Sequence, residues 1–206
     1  MSQQLIISVG REFGSGGHVI AEELAKRFGL ELYDINILRE IAVERCHDDE
    51  YLSHYISHLT KFDEVPKKRF ISRNVRGYSN SPEENIANLQ FEYLQKKAKE
   101  GKSFVVVGRC SEAILKDYDC LVSMFILADK ECKVNRVKEI RNISAQEAEA
   151  VMQRHDKKRK EYHNYYCTGK WGDSRNYDIS INSSRLGIEK TTDYLESYIK
   201  ERLQNM

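Results

Sequence analysis

Ser8 to Phe28 read SVGREFGSGGHVIAEELAKRF. An apolar, β-branched run, Leu5–Val9 (LIISV), leads into Gly10, Gly14, Gly16 and Gly17, and a helical pattern opens at Gly17. Phosphate binding asks for this order. Glycines let the backbone fold tightly and turn N–H groups inward, and the start of a helix adds its dipole and unpaired donors. A turn that only joins a strand to a helix needs one glycine, whereas three stand within four residues here.

The standard phosphate loop is GxxxxGK[ST]. Gly10 to Gly16 is one residue longer than that spacing, Gly17 stands at the lysine position, and His18 stands where the magnesium-binding hydroxyl is expected. Arg11 and Ser15 are the available substitutes, as cation and as hydroxyl, with Ser15 the candidate magnesium ligand. The candidate donor-binding set is Gly10, Gly14, Ser15, Gly16, Gly17 and His18. A glycine-rich connector that holds no ligand is the alternative.

Working outward, four more runs read as strands: Leu30–Tyr33, Phe104–Val107 (FVVV), Leu121–Leu127 (LVSMFIL) and Asp178–Ile181 (DISI). Most are near-continuously apolar, as strands buried on both faces must be. Helical patterns separate them. Val19, Ile20, Leu24 and Phe28 share roughly one face. Ser81-Pro82-Glu83-Glu84 offers an N-cap and proline at the first helical position, for a helix running to about Lys99. Asp129 is expected to cap the next helix, and Ser144-Ala-Gln-Glu147 forms a capping box that opens a long one toward Tyr166. A last helix, about Ile188–Leu203, is expected to turn Tyr194, Leu195, Tyr198 and Ile199 inward. Strands alternating with helices predict an α/β fold with a five-stranded parallel sheet covered on both faces.

The 206 residues suit one domain. A net charge of +1 gives no global field that would draw nucleic acid or an anionic membrane. Five cysteines, none in CxxC spacing, read as reduced thiols rather than a disulfide framework. The first residues carry no basic segment and their apolar run is too short to span a membrane, so a soluble, cytoplasmic protein is expected. The histidines, His47, His54 and His58 among them, show no metal spacing with matching carboxylates, so a structural zinc is not expected.

Arg11-Glu12-Phe13 before a GSGG loop resembles the cytidylate kinase-like family of P-loop nucleoside-monophosphate kinases. The similarity continues through LELYDINIL, VVVGRCSEAIL, FILADKE, RHDKKRKEYHNYY and WGDSRNYDISINSSRLG. It covers the chain from end to end and is weakest across about 45–90.

The resemblance implies a three-layer P-loop core of about 1–35, 100–150 and 176–206, an acceptor-binding insertion of about 36–98, and a lid of about 151–175. It also implies ATP with Mg2+ as donor and a small phosphate acceptor, a nucleoside monophosphate such as CMP. Asp34 is expected to face the acceptor or the transferring group, with an N-cap for a helix Ile35–Ala42 as the alternative. Arg109 ends its strand in Gly-Arg-Cys where the cytidylate kinases have Gly-Arg-Asp. It is a phosphate-gripping candidate, or else one half of a surface ion pair. Arg154 and Arg159 are the lid candidates for neutralising transferred charge, with Lys158 and Arg175 as further substrate contacts. Read alone, this charge run is also an ordinary solvated helix face. Tyr162, Tyr165, Tyr166 and Trp171 stack on a base or dock the lid. A non-catalytic nucleotide- or phosphate-binding protein with a degenerate loop is the other class that fits.

Overall fold

Strands that are buried on both faces are near-continuously apolar, and the central β1 (Ile6–Arg11), β3 (Phe104–Val107) and β4 (Leu121–Leu127) follow that rule over most of their length. At the edges, β2 (Glu31–Tyr33) and β5 (Ile179–Asn182) are less buried and more polar. The computed structural model describes residues 3–34, 36–45, 54, 57–58 and 82–205. All strands run parallel, in the order β2-β3-β1-β4-β5. Side chains alternate across the sheet. Ile7, Val9, Val105 and Val107 face one layer, and Ile6, Phe104 and Val106 face the other.

Each layer has its own helices. α1 (Gly17–Phe28) and α7 (Gly187–Gln204) cover the first through Ile20, Leu24, Leu195 and Ile199. α2 (Ile37–Arg45) and α3 (Pro82–Lys99) cover the second through Ile37, Leu38, Ile86 and Leu94. A short α4 (Ser111–Ile114) follows β3, while α5 (Lys130–Arg141) and the 22-residue α6 (Ala145–Tyr166) pack together after β4. A 3-10 turn spans Ser174–Asn176. The chain leaves β1 toward β3 on one side and meets β4 on the other. The switch point therefore lies at the carboxyl end of β1, where open α/β sheets bind ligands.

Local expectations meet different outcomes. The Ser144–Glu147 capping box forms, with Ser144 Oγ accepting from the Glu147 amide at 3.2 Å and Glu147 Oε2 accepting from the Ser144 amide at 2.9 Å. Ser144→Ala is expected to lower stability by about 1 kcal/mol. Denaturant unfolding checks this, and an unchanged midpoint would contradict it.

Asp129 precedes α5 but makes no side-chain cap; its Oδ1 accepts from Asn182 Nδ2 at 2.8 Å and ties β4 to β5. Val19 and Tyr194 are exposed rather than inward, because each lies one residue off the buried stripe of Ile20 and Leu195. The helix expected at Ile35–Ala42 runs Ile37–Arg45. Ser81, most of the 45–90 stretch and His47 lie outside the described residues. Among those described, no helix is long and apolar enough to cross a membrane.

Candidate active site

Gly10 ends the apolar part of β1, and a Cβ there would lie 2.8 Å from the Phe125 ring and 3.1 Å from Tyr177. Its glycine is required by packing. The loop turns through Gly14 and Gly16, both at φ +81°, and Gly16 is the N-cap of α1. Among the described residues, the amides of Gly14, Gly16 and His18 donate to nothing in the chain. They are the donors that a phosphate at a helix start uses.

The loop is braced from three elements. Arg136 on α5 donates from Nη1 to the Gly14 carbonyl at 2.5 Å. Ser183, just past β5, donates from Oγ to the Ser15 carbonyl at 2.6 Å. Asp156 on α6 accepts from the Phe13 amide at 2.7 Å. Lys133 pairs with Glu12 Oε2 at 2.8 Å. None of these partners was legible as a site residue in the sequence. Lys133 and Arg136 share one face of the helix after β4 at i,i+3 spacing, which is the signal that could have found them.

Ser15 is fully buried. Its Oγ donates to the Glu12 carbonyl at 2.9 Å and accepts from the Gly17 amide at 3.3 Å. This hydroxyl braces the loop and is not turned outward as a magnesium ligand is. The Ser15 expectation is revised on that geometry.

Arg11 ends β1, and its side chain crosses Gly17. A Cβ on Gly17 would lie 2.6 Å from Arg11 Cβ and 3.3 Å from Arg11 Cγ. The guanidinium goes on to lie against Gly108, at φ +76° past β3, where any Cβ would collide with Arg11 Nη1. The arginine stem fills the space where a side chain at 17 would begin. Any side chain at 11 and any side chain at 17 would meet at their first carbons, so an arginine at 11 goes with a glycine at 17.

Next to the guanidinium is a cavity of ≈ 30 Å³, lined by Arg11, Arg109, Arg159, Glu112, His163 and Trp171 among others. Arg109 is 5% exposed, which overturns its surface ion-pair reading. Arg159 Nη1 donates to the Arg11 carbonyl at 3.5 Å and pairs with Asp156 at 3.7 Å. Three arginines thus line one small space, and among the described residues lining it the one carboxylate, Glu112, is held by His163 at 2.6 Å.

α6 lies docked on the loop. His155 stacks on Phe13 with centroids 4.4 Å apart, while the Arg141 and Arg159 guanidiniums stand 5.2 and 5.5 Å from the same ring. Burial, then Arg159, Arg141, Arg154 and Lys158, push the His155 imidazolium downward, so that ring is neutral in a cationic field. Burial pushes the Asp156 carboxyl up, opposed by the Phe13 amide and then Arg159. Arg154 and Lys158 lie on the exposed face of α6 and contribute to the field rather than line the cavity. Arg175 lies elsewhere: it is exposed and paired with Asp173 at 2.5 Å. The aromatics pack the end of α6 and the segment after it against the body: Trp171 meets Phe125 edge-on at 5.4 Å, and Tyr166 meets Phe91 likewise at 5.4 Å.

Asp34 follows β2 and begins the turn into α2. Its Oδ1 accepts from the Asn36 amide at 3.0 Å, and its own amide donates to Asn36 Oδ1 at 3.0 Å. Oδ2 stands 3.5 Å from His18 Nε2, and His18 also meets Glu22 at 3.4 Å. This pair bridges β2 to the start of α1 and lies outside the arginine cavity.

Sheet order, glycine loop and docked basic helix define a P-loop kinase fold. The chain belongs to the cytidylate kinase-like family, whose model matches residues 6–185. A crystal structure of an uncharacterized protein from Eubacterium ventriosum ATCC 27560 is 37% identical, covering 96% of this chain and 99% of that one, with a TM-score of 0.74. A gluconokinase from Sinorhizobium meliloti 1021 shares the fold at 10% identity and TM-score 0.56, covering 100% of this chain and 97% of that one. A sugar kinase from Janibacter sp. HTCC2649 does so at 13% identity and TM-score 0.51, covering 96% and 95%. A search of curated proteins returns no match. The family and fold make this chain a kinase-type phosphotransferase using a nucleotide donor and a small-molecule acceptor.

Proposed function

We propose that the chain transfers the γ-phosphoryl group of ATP to a nucleoside monophosphate, with CMP the first acceptor to test. The observation that carries this reading is the convergence of Arg11, Arg109 and Arg159 on one cavity beside the loop. Guanidiniums present paired donors that match phosphate oxygens, and three arginines lining one cavity beside the loop suit a phosphate group. The acceptor phosphate would be held there, and the donor phosphates on the amides of Gly14, Gly16 and His18. Arg11, between the two, meets the bridging charge. Phosphoryl transfer needs little from the protein beyond such placement and charge balance.

Magnesium is implied by the family. Ser15 does not fit as its ligand, and Glu12 is engaged by Lys133, so no step is routed through a loop-bound ion. A cavity of ≈ 30 Å³ has room for about two waters and not for a nucleotide, so α6 must move for the acceptor to enter. Arg159 would re-enter the site as α6 closes. Asp34 would orient the acceptor through His18, while Arg154 and Lys158 would attract the anionic substrates.

A coupled assay with ATP, magnesium, a panel of nucleoside monophosphates and unphosphorylated small alcohols tests this. Turnover is expected with one or more monophosphates. Tight ATP binding with no transfer to any acceptor would leave the degenerate-loop binding protein as the answer, and transfer only to unphosphorylated alcohols would sink the monophosphate reading.

A further inference from the structure

In the wall of the arginine cavity lies a cluster to which the proposed transfer assigns no step. Glu112 is on α4, His163 is in the last turn of α6, and Cys167 is the residue that ends α6. One donor atom from each lies within 4.8 Å of the other two. Glu112 and His163 are 7% and 5% exposed, and their Oε1 and Nε2 are 2.6 Å apart. The other ring nitrogen, His163 Nδ1, is buried with no hydrogen-bond partner. Cys110 is 2% exposed, and Cys167 packs against the small apolar cluster that contains it.

We propose that Cys167, His163 and Glu112, with Cys110 beside them, form a binding site for a soft divalent cation of the zinc class. Thiolate, imidazole and carboxylate on three separate segments are the donor set such a cation selects. A divalent cation would take the place of the proton between Glu112 Oε1 and His163 Nε2 and draw in the Cys167 sulfur beside them.

Tetrahedral zinc, with bonds of about 2.0–2.3 Å, sets donor separations of roughly 3.3–3.7 Å. Donors already within 4.8 Å need shifts of about 1 Å, and the Glu112–His163 pair opens similarly as its proton leaves. The bound ion would tie the end of α6 to α4, across the inner wall of the acceptor cavity.

The full chain, chelator-stripped and kept reduced, is titrated with Co2+ as a spectroscopic stand-in for zinc. One equivalent is expected to bind with a sulfur-to-cobalt charge-transfer band, and Zn2+ is expected to displace it. Cys167→Ser is expected to lose the band, and His163→Gln to weaken binding by at least about tenfold. Zn2+ is expected to raise the melting temperature of the wild type only. Absence of the band in the wild type overturns the proposal, whether or not the variants fold. Binding that Cys167→Ser leaves unchanged also overturns it. So does a stripped protein that takes up no cobalt yet cross-links Cys110 to Cys167 under mild peroxide. Kinase turnover is scored separately, so failure of the metal site leaves the phosphotransfer reading untouched.

Discussion

Arg159→Ala is expected to lower kcat by about 10²- to 10³-fold while leaving the KM for ATP within about threefold. Arg159 lines the cavity, lies 5.5 Å from the Phe13 ring and donates to the Arg11 carbonyl, so it meets the loop and the acceptor space together. Charge that builds on the transferring group is largest between those two places. Removing a fixed donor there raises the barrier by about 3–4 kcal/mol, because the low-dielectric site makes each such donor count for more than it would in water. Arg159→Lys keeps the charge but loses the planar fork, and is expected to recover only part of the rate. Steady-state kinetics with saturating acceptor measures this. A KM effect without a kcat effect would place Arg159 in ground-state binding instead.

The second large effect concerns the loop itself. Arg11→Ala is expected to reduce kcat/KM by a similar 10²- to 10³-fold, since its guanidinium stands between the donor-phosphate amides and the cavity. Gly17→Lys alone is expected to be as damaging, for a different reason. A Cβ at 17 would sit 2.6 Å from Arg11 Cβ, a separation that forces one of the two side chains out of place. Combining Gly17→Lys with Arg11→Gly, which removes the Cβ that Arg11→Ala would leave in place, relieves the 2.6 Å collision and returns a lysine to its standard loop position. The pair should therefore be strongly non-additive, as contacting residues are.

Much of the fold was legible because the physics that builds it is local. Phe104–Val107 and Leu121–Leu127 occur as read, since strands covered on both faces leave no polar positions to blur their ends. β1 extends two residues past the apolar run, to Arg11, because Gly10 and Arg11 still pair with Phe125 and Ile126 of β4; that register is set by another segment and leaves no local mark. Helix faces failed at single residues, Val19 and Tyr194, each a neighbour of a buried position.

The site was less legible. Its glycines and Arg11 could be named from the loop pattern, and Arg109 and Arg159 from the family resemblance together with a strand end and a charge run. What the loop rests on could not: Asp156 reaches Phe13 across 143 residues and Ser183 reaches Ser15 across 168, through contacts with no sequence spacing to reveal them. The cluster of Glu112, His163 and Cys167 was hidden in the same way. A reading of the histidines by local spacing looks at His54 and His58 and passes over a ring whose partner carboxylate is 51 residues away.

The central claim is that Arg11 occupies the place and does the work of the loop lysine. The double-variant cycle tests it most directly: kcat/KM for the wild type, Arg11→Gly, Gly17→Lys and the combined protein, each checked for folding by its melting temperature. The expected result is that Arg11→Gly/Gly17→Lys is at least about tenfold more active than either single variant. A combined variant that is folded and no better than the worse single variant would contradict the claim.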